Sequence, residues 1–265
     1  MFAAAVFVGL VAVHVLPLPV ARYDALLVWC VVVTLGLWAA GLESWREVLV
    51  ICGFHVLGLG LELFKVHEGS WSYPGDAVLA VGGVPLFSGF MYAAVGSYLC
   101  QAWRRFDLRV TRYPALLTTV VAVLIYANFF THHWIVDLRL PLAVATVVAL
   151  RRCGIRFTVG DARYTMPLVA SFALIGLFLW IAENLATYLG AWRYPDQEDV
   201  WQAVHASKIG AWALLVIMSF VLVATVKAQE GRLYHVDADP TATTGTPARP
   251  RRRARPRRRR SSPRR

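Results

Sequence analysis

Residues Phe54–Tyr98 read FHVLGLGLELFKVHEGSWSYPGDAVLAVGGVPLFSGFMYAAVGSY. This stretch decides the fold, because it sets ionisable groups inside an apolar run of membrane-spanning length. His55 and Glu62 lie within the run that ends near Val66. A carboxylate there must be protonated, paired or turned to a polar cavity, since bare charge in hydrocarbon is costly. The run then breaks into His67-Glu68-Gly69-Ser70-Trp71-Ser72-Tyr73-Pro74. Its aromatics suit a membrane interface, and its Gly and Pro stop a helix.

The pattern recurs. Around Glu183 the chain reads ENLATYLGAWRYPDQ, so both stretches fit E, six residues, then G-x-W-x-Y-P. The spacing points to an internal repeat: an apolar helix with a Glu about two turns before its end, an aromatic turn, and a further apolar run.

Working outward, 58% of the 265 residues are hydrophobic and 16% charged, which excludes an ordinary soluble domain and predicts an all-α, multi-pass membrane protein. The formal charge of +11 is a property of the C-terminal tail. Arginines number eleven from Arg249 to Arg265; without them, 16 basic residues face 16 acidic ones and the body is near neutrality. No specific nucleic-acid partner is expected. The tail, from residue 229 to 265, reads as disordered, with its arginine blocks solvated or holding anionic lipid headgroups. Cys30, Cys52, Cys100 and Cys153 show no C-x-x-C spacing and read as small buried hydrophobes. The first apolar run lacks a preceding Lys or Arg and reads as a span rather than a cleaved signal.

Apolar runs lie at Phe2–Val20, Asp24–Gly41, Trp45–Val66, Asp76–Trp103, Tyr113–Phe130, Trp134–Leu150, Met166–Leu189 and Trp201–Val226, which predicts about eight spans within residues 1–228. Gly82-Gly83-Val84-Pro85 is expected to kink or open the fourth. Arg104, Arg105, Arg109 and Arg112, then Arg151, Arg152, Arg156 and Arg163, mark two cytoplasmic loops. Both termini then fall on the cytoplasmic side of a bacterial cytoplasmic (inner) membrane. The connections around Trp71, His132-His133 and Trp192 meet on the other side.

These connections hold the candidate site. Glu62 and Glu183 are the candidate acid/base pair: of two carboxylates in a poorly solvated cavity, one can give up a proton while the other stays ionised. That is what protonating an alkene or ether oxygen requires. His132 and His133, near Asp137, are candidate assistants. His55, Trp71, Tyr73, Trp192, Tyr194 and Lys208 are candidate substrate contacts, the aromatics having interfacial anchoring as their alternative. Glu62 and Lys65 are also spaced to neutralise each other, and Lys208 is the expected partner of Glu183. Asn128 and Asn184 read as interhelical hydrogen-bonding amides. The histidines with Glu62 and Glu183 offer metal-ligand chemistry, but no tight motif such as H-E-x-x-H is present; neither metal nor cofactor is assigned. A proton-coupled transporter, or a metal- or haem-binding protein, are the other classes these residues allow.

The Glu62-Leu63-Phe64-Lys65 run, the two G-x-W-x-Y-P turns, Gly83-Val84-Pro85-Leu86-Phe87-Ser88-Gly89-Phe90-Met91-Tyr92 and Tyr126-Ala127-Asn128-Phe129-Phe130-Thr131-His132-His133 resemble the YoaT-like bacterial membrane proteins, domain of unknown function 817. The resemblance covers nearly the whole chain up to the tail and implies no established activity. Over about one helical hairpin, Glu62, Val66, His67, Gly69, Tyr73 and Gly83-Val84-Pro85-Leu86 also look like membrane-embedded carotenoid hydratases and lycopene cyclases. That likeness implies cofactor-free acid/base chemistry on a polyisoprenoid, with Glu62 as proton donor. A lipid or isoprenoid-like small molecule is therefore the expected partner.

Overall fold

A computed structural model describes residues 1–234; the arginine blocks of the tail lie outside the described residues. The apolar runs form α1 (Phe2–Val15), α2 (Arg22–Ala39), α3 (Trp45–His67), α4 (Ser88–Arg105), α5 (Ala115–Thr131), α6 (Arg139–Leu150), α7 (Leu168–Tyr188) and α8 (Lys208–Gln229). Of these, α2, α3, α7 and α8 are long and apolar enough to cross a membrane. Large apolar side chains such as Val28, Val32, Val56, Phe178 and Ile181 remain exposed on them, as lipid-facing surfaces require. The chain is a membrane protein by these features. The other helices are shorter or more polar; at 1.5 Å per residue the 12 residues of α6 extend about 18 Å against a hydrocarbon core of roughly 30 Å.

The two Glu-bearing helices end alike. Gly69 (φ +67°) and Gly190 (φ +70°) follow α3 and α7 in the left-handed region. Beyond them, Ser70 N–H donates to Lys65 O and Ala191 N–H to Ala186 O, each at 2.9 Å. This is the Schellman arrangement, which needs a residue free of Cβ strain at the left-handed position. The repeated Gly of the sequence pattern is thus a pair of helix stops. At its other end α3 starts with a capping box between Ser44 and Glu47.

Three expectations need correction. The fourth span does not begin at Asp76: residues 80–85 form a hairpin of β1 (Ala80–Val81) and β2 (Val84–Pro85), and α4 starts at Ser88. Gly82 and Gly83, both at positive φ, make its two-residue turn instead of kinking a helix. The last span does not begin at Trp201, because a 3₁₀ turn at Pro195–Gln197 and an irregular segment precede α8. The fold is mostly helical rather than all-α. The strands β3 (Arg109–Thr111), β4 (Gly154–Val159) and β5 (Ala162–Pro167) form an antiparallel sheet in the order β3-β4-β5.

That sheet joins the two arginine-bearing connections. Val110 pairs with Ile155 in it, and Val110 N–H also donates to Leu233 O just beyond α8. Nearby, the Glu43 carboxylate accepts from Ser97 Oγ (2.6 Å) and Gln101 Nε2 (2.8 Å), and the Met1 ammonium donates to Gln101 Oε1. The α1–α2, α3–α4, α5–α6 and α7–α8 connections meet at the other end. There Asp24 accepts from Val78 and Leu79 N–H, Tyr23 OH donates to Ala191 O, and the Ser72 and Arg193 backbones exchange two hydrogen bonds.

Between these ends α3 packs on α4 and α7 on α8 through glycines. A Cβ at Gly58 would meet the Tyr92 ring at 2.5 Å, and one at Gly176 would meet the Ala213 backbone at 2.7 Å. Such close approach is what small residues give helices in a membrane.

Candidate functional site

Glu62 and Glu183, 3% and 2% exposed, each sit about one and a half turns before the end of their helix and are buried in the bundle. Glu62 Oε2 accepts hydrogen bonds from Trp71 Nε1 (2.7 Å) and Tyr73 OH (2.6 Å), and its Oε1 accepts one from Tyr92 OH (2.7 Å). Glu183 accepts from Tyr194 OH on Oε1 and from Trp212 Nε1 (2.7 Å) on Oε2. An ionised carboxylate offers about four acceptor sites, so Glu62 is nearly saturated and Glu183 keeps more spare capacity.

Phenol and indole donors are a suitable choice for this depth. They satisfy the oxygens while presenting apolar faces to the surroundings. Burial first, then the adjacent Glu183, pushes Tyr194 well above the ordinary phenol range. Burial and then Glu62 do the same for Tyr73. Both phenols stay protonated donors at neutral pH.

Both carboxylates line one chamber of about 500 Å³. Trp71, Tyr92, Trp192, Tyr194 and Trp212 surround them, and the remaining wall is largely apolar, built from α1, α4, α7 and α8 with side chains such as Val6, Val95, Leu179 and Val216. A second cavity of about 140 Å³ shares Trp71, Tyr92, Glu183, Tyr194, Trp212 and Leu215 with the first. Its remaining wall sets Lys65, Ser70, Asn128, His132, Arg139 and Lys208 beside Leu61, Phe129 and Ala211.

The ion pairs expected from spacing do not form. Glu62 takes its three aromatic donors, and Lys65 Nζ meets His133 Nε2 at 2.9 Å. Lys208 opens α8 rather than lying two turns into a span; its ammonium stands 4.4 Å from the centre of the Tyr194 ring and 6.0 Å from that of Trp71. Helical spacing indicates which groups share a face, but not that nearer phenols and indoles will occupy the carboxylate first.

The other candidates divide. Trp71, Trp192 and Tyr194 line the chamber, whereas Tyr73 stands behind Glu62 with its ring edge-on to Tyr23. His55 lines neither cavity; it packs on Phe90 at 4.4 Å, against the helix face left open by Gly89. His132 reaches the small cavity, with its Nδ1 2.9 Å from Asn128 O. Burial, followed by the Lys65 charge, pushes its pKa below the ordinary imidazole value. His133 faces Lys65 and Glu68. Among the described residues no three His, Cys, Asp or Glu side chains are grouped to hold a metal ion.

Asn128 and Asn184 pin connections rather than neighbouring helices. The Asn128 Oδ1 accepts Leu138 N–H at 3.0 Å and the Asn184 Oδ1 accepts Val204 N–H at 2.9 Å. Tyr92 and Trp212, which donate to the glutamates and line the chamber, are the candidate residues that sequence reasoning missed. Their signal was positional: they stand 30 and 29 residues after the two glutamates, at matching depth in the helices that follow.

Comparison with known proteins follows the same boundaries. Residues 1–220 match the family described as "Protein of unknown function (DUF817)". The chain is 49% identical over 229 residues to the "Uncharacterized protein YoaT" of Bacillus subtilis (strain 168), covering 86% of this chain and 87% of that protein. Among solved structures, the mycobacterial Insig homolog MvINS from Mycobacterium vanbaalenii aligns with a TM-score of 0.47 at 19% identity, over 68% of this chain and 93% of that one.

Proposed function

We propose that this chain, which belongs to the DUF817 family of proteins of unknown function, is a multi-pass protein of the bacterial cytoplasmic membrane that receives a lipid- or isoprenoid-like molecule and exchanges protons with it through Glu62 and Glu183. The observation that carries this reading is the chamber itself. Two buried carboxylates open onto one space of about 500 Å³ whose wall is otherwise largely apolar, within the range that encloses small organic ligands. In this reading Glu62, held by three donors, is the fixed charge. Glu183, with acceptor capacity to spare, gives or takes the proton, and the aromatic rings position the substrate.

Eight passes with both termini cytoplasmic belong to the same proposal, supported by the gathering of the arginine-bearing connections at one end. So does an internal duplication of parallel halves, supported by the matched helix stops and by the reciprocal bonds of Ser72 and Arg193.

The test is untargeted mass spectrometry of lipid and pigment extracts from cells expressing wild type, Glu62→Gln, Glu183→Gln or an empty vector. A compound that changes with wild type alone is expected. Identical extracts, with all three chains present in the membrane, would overturn the chemical step. Proton-gradient-dependent flux in proteoliposomes would then be measured, because the small polar cavity beside the chamber also suits a relay.

A further inference from the structure

The small cavity has a charge imbalance that the large chamber does not use. Lys65, Lys208 and Arg139 line it, and Glu183 is the carboxylate facing them. Arg139 is already paired with Asp137 at 2.6 Å, and Glu183 is engaged by Tyr194 and Trp212. Lys65, only 5% exposed, has a histidine nitrogen as its contact in place of a carboxylate. Lys208 rests over two aromatic rings. Among the described residues neither ammonium forms an ion pair. Burying an ammonium without a counter-charge costs several kilocalories; Glu183, whose neutral donors leave its charge in place, balances one of the two, and one positive charge is left over.

We infer that the small cavity receives the carboxylate or phosphate headgroup of an anionic amphiphile whose apolar tail lies in the large chamber. The inference rests on the chamber being a lipid site, as proposed above. Size agrees: about 140 Å³ is near five times one water's share of liquid volume, enough for a carboxylate or a phosphate with little else. Position agrees as well, since the two spaces adjoin and share Trp71, Tyr92, Tyr194 and Trp212 as border residues. A cationic headgroup would meet two unpaired ammonium groups. A neutral one would leave the surplus positive charge uncompensated.

The experiment measures binding to the full chain in nanodiscs of zwitterionic lipid, with hexadecanoic acid, hexadecyl phosphate, hexadecanol and inorganic phosphate as probes. The proteins are wild type, Lys65→Met, Lys208→Met and Ala182→Trp, the last filling the chamber. Wild type should bind the acid and the alkyl phosphate about tenfold or more tighter than the alcohol. Each Lys→Met variant should lose most of that advantage while keeping its affinity for hexadecanol, which also reports that it is folded. Ala182→Trp should weaken all three amphiphiles. Equal affinity for acid and alcohol, both sensitive to Ala182→Trp, would overturn the headgroup site and leave the chamber reading intact. Inorganic phosphate binding as tightly as hexadecyl phosphate would make the ligand a free anion and overturn the amphiphile. Failure of all three amphiphiles to bind would remove the chamber reading and this inference together.

Discussion

Ser72 and Arg193 donate their backbone N–H groups to each other's carbonyl oxygens, both at 2.9 Å, and each stands ten positions after its glutamate. Equivalent residues of the two sequence patterns therefore meet across a local two-fold relation. Trp71 packs edge-on to Tyr194 beside them, at 6.1 Å. Replacing Arg193 by Pro removes one donor and should lower stability by roughly 1–3 kcal/mol. Arg193→Ala keeps the backbone pair and, because the side chain is exposed, should stay within about 0.5 kcal/mol of wild type. Thermal unfolding at fixed detergent concentration separates the two; equal losses would mean that the side chain, not the pairing, matters.

Tyr92→Phe deletes one of the three donors to Glu62 and leaves a buried carboxylate under-satisfied, for an expected loss of about 1–3 kcal/mol. Since Glu62→Gln removes the charge that needs the donor, the double variant should be less damaged than the sum of the singles, by roughly 0.5–3 kcal/mol. Strict additivity in that cycle would show that the phenol does not serve the carboxylate.

Two glycines on one helix should respond oppositely. A Cβ at Gly58 would lie 2.5 Å from the Tyr92 ring, while one at Gly60 would meet nothing within 4 Å. Gly58→Ala should destabilise by about 1–3 kcal/mol and displace the ring from Glu62. Gly60→Ala should be neutral or stabilise by roughly 0.5–1 kcal/mol. Melting temperatures of the pair check the sign directly.

In the connection after α5, a side-chain hydrogen bond from Arg139, aided by backbone and Asn128 donors, holds Asp137 at a pKa of about 2, below its reference of 3.8. Because the folded value is the lower one, the associated stability is fully present above pH 3.8 and fades as pH falls toward 2. Arg139→Gln should move the titration back toward 3.8 and flatten the stability profile in that window. Carboxylate NMR shifts of Asp137 between pH 1.5 and 5 would read it, and an unmoved midpoint in the variant would refute the assignment to Arg139.

What the sequence discloses here follows from local physics. The glutamates, their aromatic turns and the helix-stopping glycines are readable because each is fixed by residues within about a dozen positions. The Gly82-Gly83 hairpin was readable too, as a two-glycine turn between short apolar segments, but membrane-span length outweighed it. The β4–β5 hairpin around Gly160-Asp161 carried a similar signal inside what looked like a loop. The partners of the charges were not readable. Lys65 meets a histidine 68 positions away, and Glu183 an indole 29 positions on, and spacing along one helix carries no information about such distant groups.

Trp71, Tyr92, Tyr194 and Trp212 hold the carboxylates and also border both cavities. On the proposed reading these borders are hydrogen-bond donors, so an occupant that turned one of the rings would alter what its carboxylate can accept. By thermodynamic reciprocity, the factor by which protonating a glutamate changes an occupant's affinity is the factor by which that occupant changes the glutamate's proton affinity. Occupancy of the proposed site and proton uptake are then one linked equilibrium, and measuring one as a function of the other gives the coupling free energy between them.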